Sequence, residues 1–578
     1  MFPNWQLVSI SIIYIGLLFI IAYLGDKYRH QLAKKGQGII YALTLGVYCT
    51  SWSFLGTTGQ ASTNFLSHIP IYLGPIILFV FAWPFIQRII RISLKLNLTS
   101  IADLLAARFG KSHNLAIIVT VVAFVGTMPY IALQLKAMVY TFQQLQEDQS
   151  LSSWHIGLVV SIVLTGFTIL FGIRNIDVTE RHPGVMLAIA FESLIKIIAF
   201  LAVSLFVCFS LFDSPLDIWQ QSNAALKLDQ QMNVGNVSSM LAMLVIVMAA
   251  FLSLPRQFQV MVVELKDQKD TWLGRRVFPL YILVFAFFAA PLGLAGQLLL
   301  GDTVPSDAYV LFLPGITGQT WLTLFTFLGA VSAASSMVII SAIALSTMLS
   351  NEIVFPLLYR RQKVAQTNYD NFRQRLLNIR KFLILFVIMS GYGVFIMASP
   401  DTLSSSGEVA FGAFAQLTPA LVVAFYWRRA SLVGVYAGIL VGFILWLSLN
   451  FLPQFGLYPS PFAEGLLPAK TTATLFSLGA NIIVMWALSQ ISRQSVQERV
   501  QASLFLEWQS PTLLRVEKKR QLDVSELELL ASRFVGEPKA KSGFSLFQSS
   551  NDKRQLGNAT YNQLLLQHTE NTLATVMG

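Results

Sequence analysis

Apolar runs of about 20 residues recur thirteen times along this chain, each closed by a short polar segment. A helix of that length crosses the roughly 30 Å hydrocarbon core of a bilayer. The runs cover 5–25, 38–60, 69–92, 114–142, 153–173, 184–212, 237–259, 276–300, 320–349, 379–399, 406–427, 431–452 and 471–491. They far exceed the length of a membrane strand, and backbone in lipid must be hydrogen-bonded internally. The pattern therefore predicts an all-α polytopic membrane protein with thirteen transmembrane helices.

The polar intervals carry their own alternation. Odd-numbered connections, counted to include the basic residues at span ends, hold 25 Lys and Arg, among them Lys27, Arg29, Arg88, Arg108, Arg181, Arg256, Lys266, Arg375 and Arg428. Even-numbered connections hold two, Lys227 and Lys470. Short basic loops stay on the cytoplasmic side, which predicts an N-terminus outside and a C-terminus in the cytoplasm. The net charge of +11 is thus accounted for by loops facing anionic lipid, and no nucleic-acid partner is expected. With 55% apolar residues, 12% charged and a mean hydropathy of +0.62, a soluble fold is excluded. The first run lacks a basic lead and is long enough to span, so it reads as a helix and not as a cleaved signal.

Chemistry has few footholds. Cys49 and Cys208 lie inside apolar runs, and the six histidines show no metal-ligand spacing. No Walker A, HExxH or GxSxG motif is present, so neither an enzyme nor an organic cofactor is expected. Transport by such a chain would draw on an ion gradient.

Polar clusters inside the runs are the informative positions, because lipid penalises them. The second run contains Gly46-Val47-Tyr48-Cys49-Thr50-Ser51-Trp52-Ser53-Phe54-Leu55-Gly56. Glycines bracketing hydroxyl residues describe a helix able to unwind, whose freed carbonyls suit a small cation. The same composition also suits a close helix-packing face, and both readings stand. In the ninth run Ser332, Ser335 and Ser336 fall on one helix face, with the same two readings. Glu192 and Lys196, four apart in the sixth run, have the spacing of a helix-surface ion pair. Pro255 near the end of the seventh run permits a kink.

Beyond about Arg493 the chain turns amphipathic with helical period, which predicts a small helical unit over 493–578, set against a membrane unit over 1–492. Within it Gln548–Lys553 reads as a loop and Thr560–Met577 as a helix; Phe505, Leu506, Trp508, Leu529, Leu530 and Phe534 supply apolar side chains for a core. The apolar end, Val576-Met577-Gly578, suggests a chain that continues.

Several segments resemble the sodium:solute symporter family. Leu98-Thr99-Ser100-Ile101-Ala102-Asp103-Leu104-Leu105-Ala106-Ala107-Arg108-Phe109-Gly110 is similar to its loop motif, and Tyr130–Leu135 and Phe411–Ala430 fit its later helices. The resemblance implies a LeuT-type core with spans 2–6 and 7–11 as inverted repeats. It implies sodium ligands at the Gly46 and Cys49 carbonyls with Ser332, Ser335 and Ser336, a proton being the alternative coupling ion. It implies solute contacts at Thr50, Ser51, Trp52, Ser53, Phe251, Phe411 and Gln416. Ile169–His182, Ala190–Lys196 and Leu254–Glu264 resemble more narrowly the membrane module of CbrA-type sensor histidine kinases, and the tail resembles their STAC linker. That likeness implies a bacterial inner membrane, a kinase region in a longer chain and a response regulator as partner. No phospho-acceptor or ATP-binding segment lies within these 578 residues. Two functions follow: an ion-coupled symporter for a small amino-acid-like or organic solute, or a receptor on the same fold that binds solute without accumulating it.

Overall fold

The computed structural model describes the chain except residues 1, 30, 33–35, 148–150, 174–180, 227, 360–368, 398–402, 464, 507–523, 526, 529–531, 533–536, 551–560, 562–563, 566–567 and 570–578. Among the described residues eleven single helices are long and apolar enough to cross a membrane, and two bent pairs, each taken as one span, bring the number to thirteen. Spans 1 to 13 run Asn4–Lys27; Gln37–Tyr48 with Trp52–Thr63; Ile69–Val80 with Trp83–Leu96; His113–Leu145; Ser153–Gly172; Pro183–Leu211; Val234–Ser253; Gln268–Leu299; Thr320–Leu358; Gln374–Met397; Leu403–Tyr426; Leu432–Phe455; and Ala469–Ile491. Each predicted run lies on one of them. Among the described residues there is no strand, only one isolated bridge between Phe2 and Gln146.

Burial separates the spans into two kinds. Spans 4, 9 and 11 are largely enclosed by protein, whereas spans 1, 7 and 12 are mostly exposed along their length, as helices facing lipid are. The enclosed spans hold the hydroxyl and amide side chains, and lipid-facing positions keep Ile13, Phe81, Phe287, Ile444 and Ile483.

Span 2 bends by 67° at its break, as its glycines and hydroxyls predict; span 3 bends by 73° between Val80 and Trp83, which the sequence reading leaves as one run. Pro84 explains the second bend: at the start of a helix it lacks an N–H to give to the preceding turn. Span 7 ends at Ser253, and the extended Leu254 (ψ 118°) separates it from a short helix beginning at Pro255.

The Leu98–Gly110 motif forms the helix Ile101–Arg108. Ser100 Oγ accepts the Asp103 N–H at 3.0 Å and Asp103 Oδ2 accepts the Thr99 N–H at 3.1 Å, a reciprocal cap. Arg108 is fully buried, donating from Nε to the Ala424 carbonyl at 3.0 Å and from Nη2 to that of Trp427 at 3.4 Å. The motif thereby satisfies the last carbonyls of span 11.

The chain divides into compact units at Leu506/Glu507, so the helix Val496–Leu506 belongs with the membrane unit. The cause is Glu498, which accepts the Leu432 N–H at the start of span 12 at 2.8 Å and the Ser495 N–H at 3.0 Å. In the second unit Ala540, Phe544, Phe547, Tyr561 and Leu565 form a small core of their own. Helix Glu537–Ser550 takes in Gln548, Ser549 and Ser550, which the sequence reading gives to a loop. Trp508, Leu529, Leu530, Phe534 and most of Thr560–Met577 lie outside the described residues.

Candidate functional site

The breaks in spans 2 and 7 lie close together, with the Tyr48 and Phe251 rings 5.3 Å apart. In span 2, residues 45–48 tighten into a 3-10 turn, Cys49 is extended (φ −73°, ψ 103°), and the helix resumes at Trp52. The break leaves backbone carbonyls without helical partners, and they must find others in the membrane interior. The Lys196 ammonium of span 6 meets the Cys49 carbonyl at 2.7 Å. The Gly46 carbonyl accepts the Cys49 N–H at 3.0 Å.

Two of the span 9 serines reach the same turn of span 6, at Glu192. Ser332 Oγ donates to the Glu192 backbone carbonyl at 2.9 Å and accepts from the Tyr14 hydroxyl at 2.8 Å. Ser335 Oγ donates to Glu192 Oε1. Ser336 Oγ turns to its own helix, donating to the Ser332 carbonyl at 3.0 Å. Gly46 packs against Ser193 and Tyr281, where a Cβ would stand 3.3 Å from the Ser193 hydroxyl and 3.0 Å from the Tyr281 ring. Four of the five expected positions, Gly46, Cys49, Ser332 and Ser335, thus touch one turn of span 6, and Ser336 bonds within its own helix. The direct Glu192–Lys196 ion pair suggested by their spacing is not made; each side chain reaches a different helix.

The solute positions fall into two groups. Thr50 Oγ1 lies 3.1 Å from the Tyr130 hydroxyl, and Gln134 Oε1 accepts from Ser51 N–H and Oγ at 3.2 and 2.8 Å. Trp52 packs edge-on to Phe411, with ring centroids 5.1 Å apart, and Tyr130 lies 5.7 Å from Phe411. Ser53 Oγ donates to the Thr50 carbonyl at 2.9 Å. These residues form one aromatic and hydroxyl cluster. Phe251 stands apart with Tyr48, Phe79 and Phe278, 5.3 to 6.0 Å between centroids. Gln416 is engaged elsewhere, donating to Ser477 at 3.0 Å and receiving Asn481 of span 13 on its backbone carbonyl at 2.8 Å.

Three residues join the cluster that sequence reasoning did not assign to it. Tyr130 and Gln134, one turn apart on span 4, face the span 2 break. Arg256, just past the span 7 break, is 2% exposed; its Nη2 donates to the Tyr130 hydroxyl at 3.2 Å and its guanidinium lies 4.3 Å from the Tyr130 ring centroid. Among the described residues no carboxylate pairs with Arg256, and its Nε has no hydrogen-bond partner. The usable signal was an arginine directly after the proline of a broken apolar run.

The chain shares its fold with a solved membrane protein. It superposes on a Na+-coupled sialic acid symporter, in a substrate-bound outward-open state, with TM-score 0.62 and 13% identity, over 86% of this chain and 98% of that one. A nucleobase-cation-symport-1 family transporter, closed with bromovinylhydantoin bound, gives TM-score 0.43 at 12% identity over 81% of this chain and 95% of that one. No family model and no curated protein matches the sequence. The fold is therefore the LeuT-type architecture that the sequence resemblance implies, with spans 2 and 7 opening the two repeats.

On the basic-loop side, segments 169–182 and 254–264 meet. His182 Nδ1 lies 2.7 Å from Glu264 Oε1, its N–H donates to Glu264 Oε2 at 2.9 Å, and Gln259 donates to Oε1 at 3.0 Å. Burial would raise the Glu264 pKa, but these contacts outweigh it and hold the carboxyl below its usual range. Residues 174–180, including Arg174, lie outside the described residues. A cavity of about 350 Å³ opens beside this cluster, lined by Arg29, Gln37, Tyr41, Thr44, Arg181 and Lys266 among others.

Proposed function

We propose that this chain is a secondary transporter module that carries a small carboxylate-bearing solute, amino-acid-like or organic, across a bacterial inner membrane by alternating access. One observation carries the reading: Arg256, a buried guanidinium with no carboxylate partner among the described residues, at the edge of an aromatic cluster between two broken helices. A buried unpaired charge is costly, and a solute carboxylate would supply its missing partner with bidentate geometry. Trp52, Tyr130 and Phe411 would provide the apolar walls, and Thr50, Ser51 and Gln134 the few directional polar groups that such sites use. A coupling cation, sodium by resemblance or a proton in its place, is expected where spans 2, 6 and 9 meet.

Proteoliposomes holding the full chain test this. Labelled carboxylic and amino acids should accumulate under an ion gradient, and the corresponding amides should fail to compete. Equal competition by acids and their amides would remove Arg256 from solute recognition.

A second reading, a receptor that reports solute binding to a histidine kinase region and its response regulator, is supported by the separate helical unit with its own core after Leu506. Binding without accumulation in the same proteoliposomes would favour it. On either reading the odd-numbered loops and the C-terminus lie in the cytoplasm, where cysteine labelling from one side can find them.

A further inference from the structure

Span 6 buries two opposite charges, Glu192 and Lys196, both fully shielded from solvent. Their one-turn spacing would let them pair, yet Lys196 extends away to the Cys49 carbonyl at 2.7 Å while Glu192 Oε1 takes the Ser335 hydroxyl. That carbonyl is free only because span 2 is broken beside it, and it is one of those a sodium ion would need. Two cations on one carbonyl oxygen would stand within a few ångströms of each other, where a low-dielectric interior screens their repulsion poorly. Arg256 adds a further positive charge close enough to act on Lys196. Among the described residues Glu192 is the one carboxylate in contact with the serine cluster, enough to balance a single cation. As arranged, these groups do not fit a sodium ion as well as Lys196.

We propose that the Lys196 ammonium is the resident cation of this site, tethered by span 6, and that it takes the place of sodium between spans 2 and 9. The broken helix is then held together by a covalently attached charge, and the site does not respond to sodium. The inference rests on the transporter reading only in taking the Cys49 carbonyl and the span 9 serines as the cation position.

The test needs no solute, so its failure leaves solute transport standing and a failed uptake assay leaves this inference standing. Purified full chain in nanodiscs is melted in sodium chloride and in choline chloride, and binding of radioactive sodium is measured by scintillation proximity. The wild type should melt alike in both salts and show no saturable sodium binding. Lys196→Ala leaves the Cys49 carbonyl, the Glu192 carboxylate and Ser332 around a vacated position, and should gain saturable sodium binding with a rise of several degrees in sodium over choline. Lys196→Gln keeps most of the reach and offers an amide oxygen to the ion, so it serves where the alanine variant folds poorly. Adding Glu192→Gln to either variant should abolish the gain. Saturable sodium binding by the wild type that Ser335→Ala removes would overturn the proposal. So would monodisperse Lys196 variants that melt alike in both salts.

Discussion

The breaks in spans 2 and 7 are the same device with opposite electrostatics. In span 2 the break exposes a carbonyl, a partial negative charge, and the protein answers it from within by the Lys196 ammonium. In span 7 the break places a full positive charge, Arg256, inside the protein and supplies only a tyrosine hydroxyl and ring. One break is electrically complete and the other is not. On the proposed reading, the satisfied break holds its geometry and the unsatisfied one receives the solute. An interior charge costs much less with a partner than without one, so an arriving carboxylate would relieve the cost of burying Arg256.

The largest expected effect separates the two charges directly. Arg256→Gln should weaken binding of a carboxylate solute by about 100-fold, the loss typical of a buried charge-assisted contact, while stability stays near wild type or rises. Lys196→Met should do the reverse in sodium-free buffer, lowering unfolding stability by about 3 kcal/mol because Glu192 and the Cys49 carbonyl lose their cation. Denaturant unfolding and equilibrium binding on the two variants, side by side, measure this. Equal losses of stability would show that both arginine and lysine are structural and would erase the contrast.

How much of this contrast the sequence carries differs by level. The thirteen spans are legible because run length and basic-loop alternation are properties of single segments. The span 2 break is legible for the same reason: Gly46, Gly56 and four hydroxyls are local. What needs three dimensions is which neighbour a side chain reaches. Phe251 has the right span and depth, but packing turns it to Tyr48, Phe79 and Phe278, away from Trp52. Gln416 sits on span 11 as Phe411 does, yet it is taken up by Ser477 and Asn481 of span 13, outside the two repeats. Glu192 and Lys196 have ion-pair spacing, but spacing cannot reveal that a broken helix offers the lysine a better acceptor. Tyr130 and Gln134 enter the sequence reading only within a segment that resembles a family helix, because nothing local marks the break they face.

Next in size is a change to the wall joining the two breaks. Gly407 of span 11 lies against the face of the Trp52 indole, and an added Cβ would collide with the ring. Gly407→Ala should cost about 1–3 kcal/mol of stability by overpacking and push Trp52 toward Tyr130 and Arg256, so solute affinity should fall with it. Trp52→Ala removes the ring and should weaken solute binding about tenfold, and it should still melt alike in sodium and choline, since Lys196 is left in place. Melting temperatures and binding isotherms for the pair distinguish crowding from loss of contact. A Gly407→Ala protein with unchanged melting temperature would show that span 11 can move aside, and that the wall is softer than its packing implies.

The smallest effect concerns the far half of span 2. Asp307, in the loop before span 9, lies against Gly59 and accepts the Leu403 N–H at 3.1 Å, linking the second half of span 2 to the start of span 11. Burial pushes its carboxyl up to about 6 from the ordinary value near 3.8, with the Leu403 N–H and Lys136 pulling partly back. The sign follows from linkage: between about pH 4 and the raised folded value, the folded protein holds a proton that the unfolded chain has released. Stability from this group is therefore full below about pH 4, declines as pH rises to about 6, and is level above that. Asp307→Asn should flatten that part of the profile and make the protein more stable at neutral pH relative to wild type, provided the Leu403 N–H bonds to the amide oxygen. Melting temperature followed across this range for both proteins gives the difference curve. If the curve is flat, the carboxyl titrates alike in the folded and the unfolded chain, and burial does not set its protonation beside Gly59.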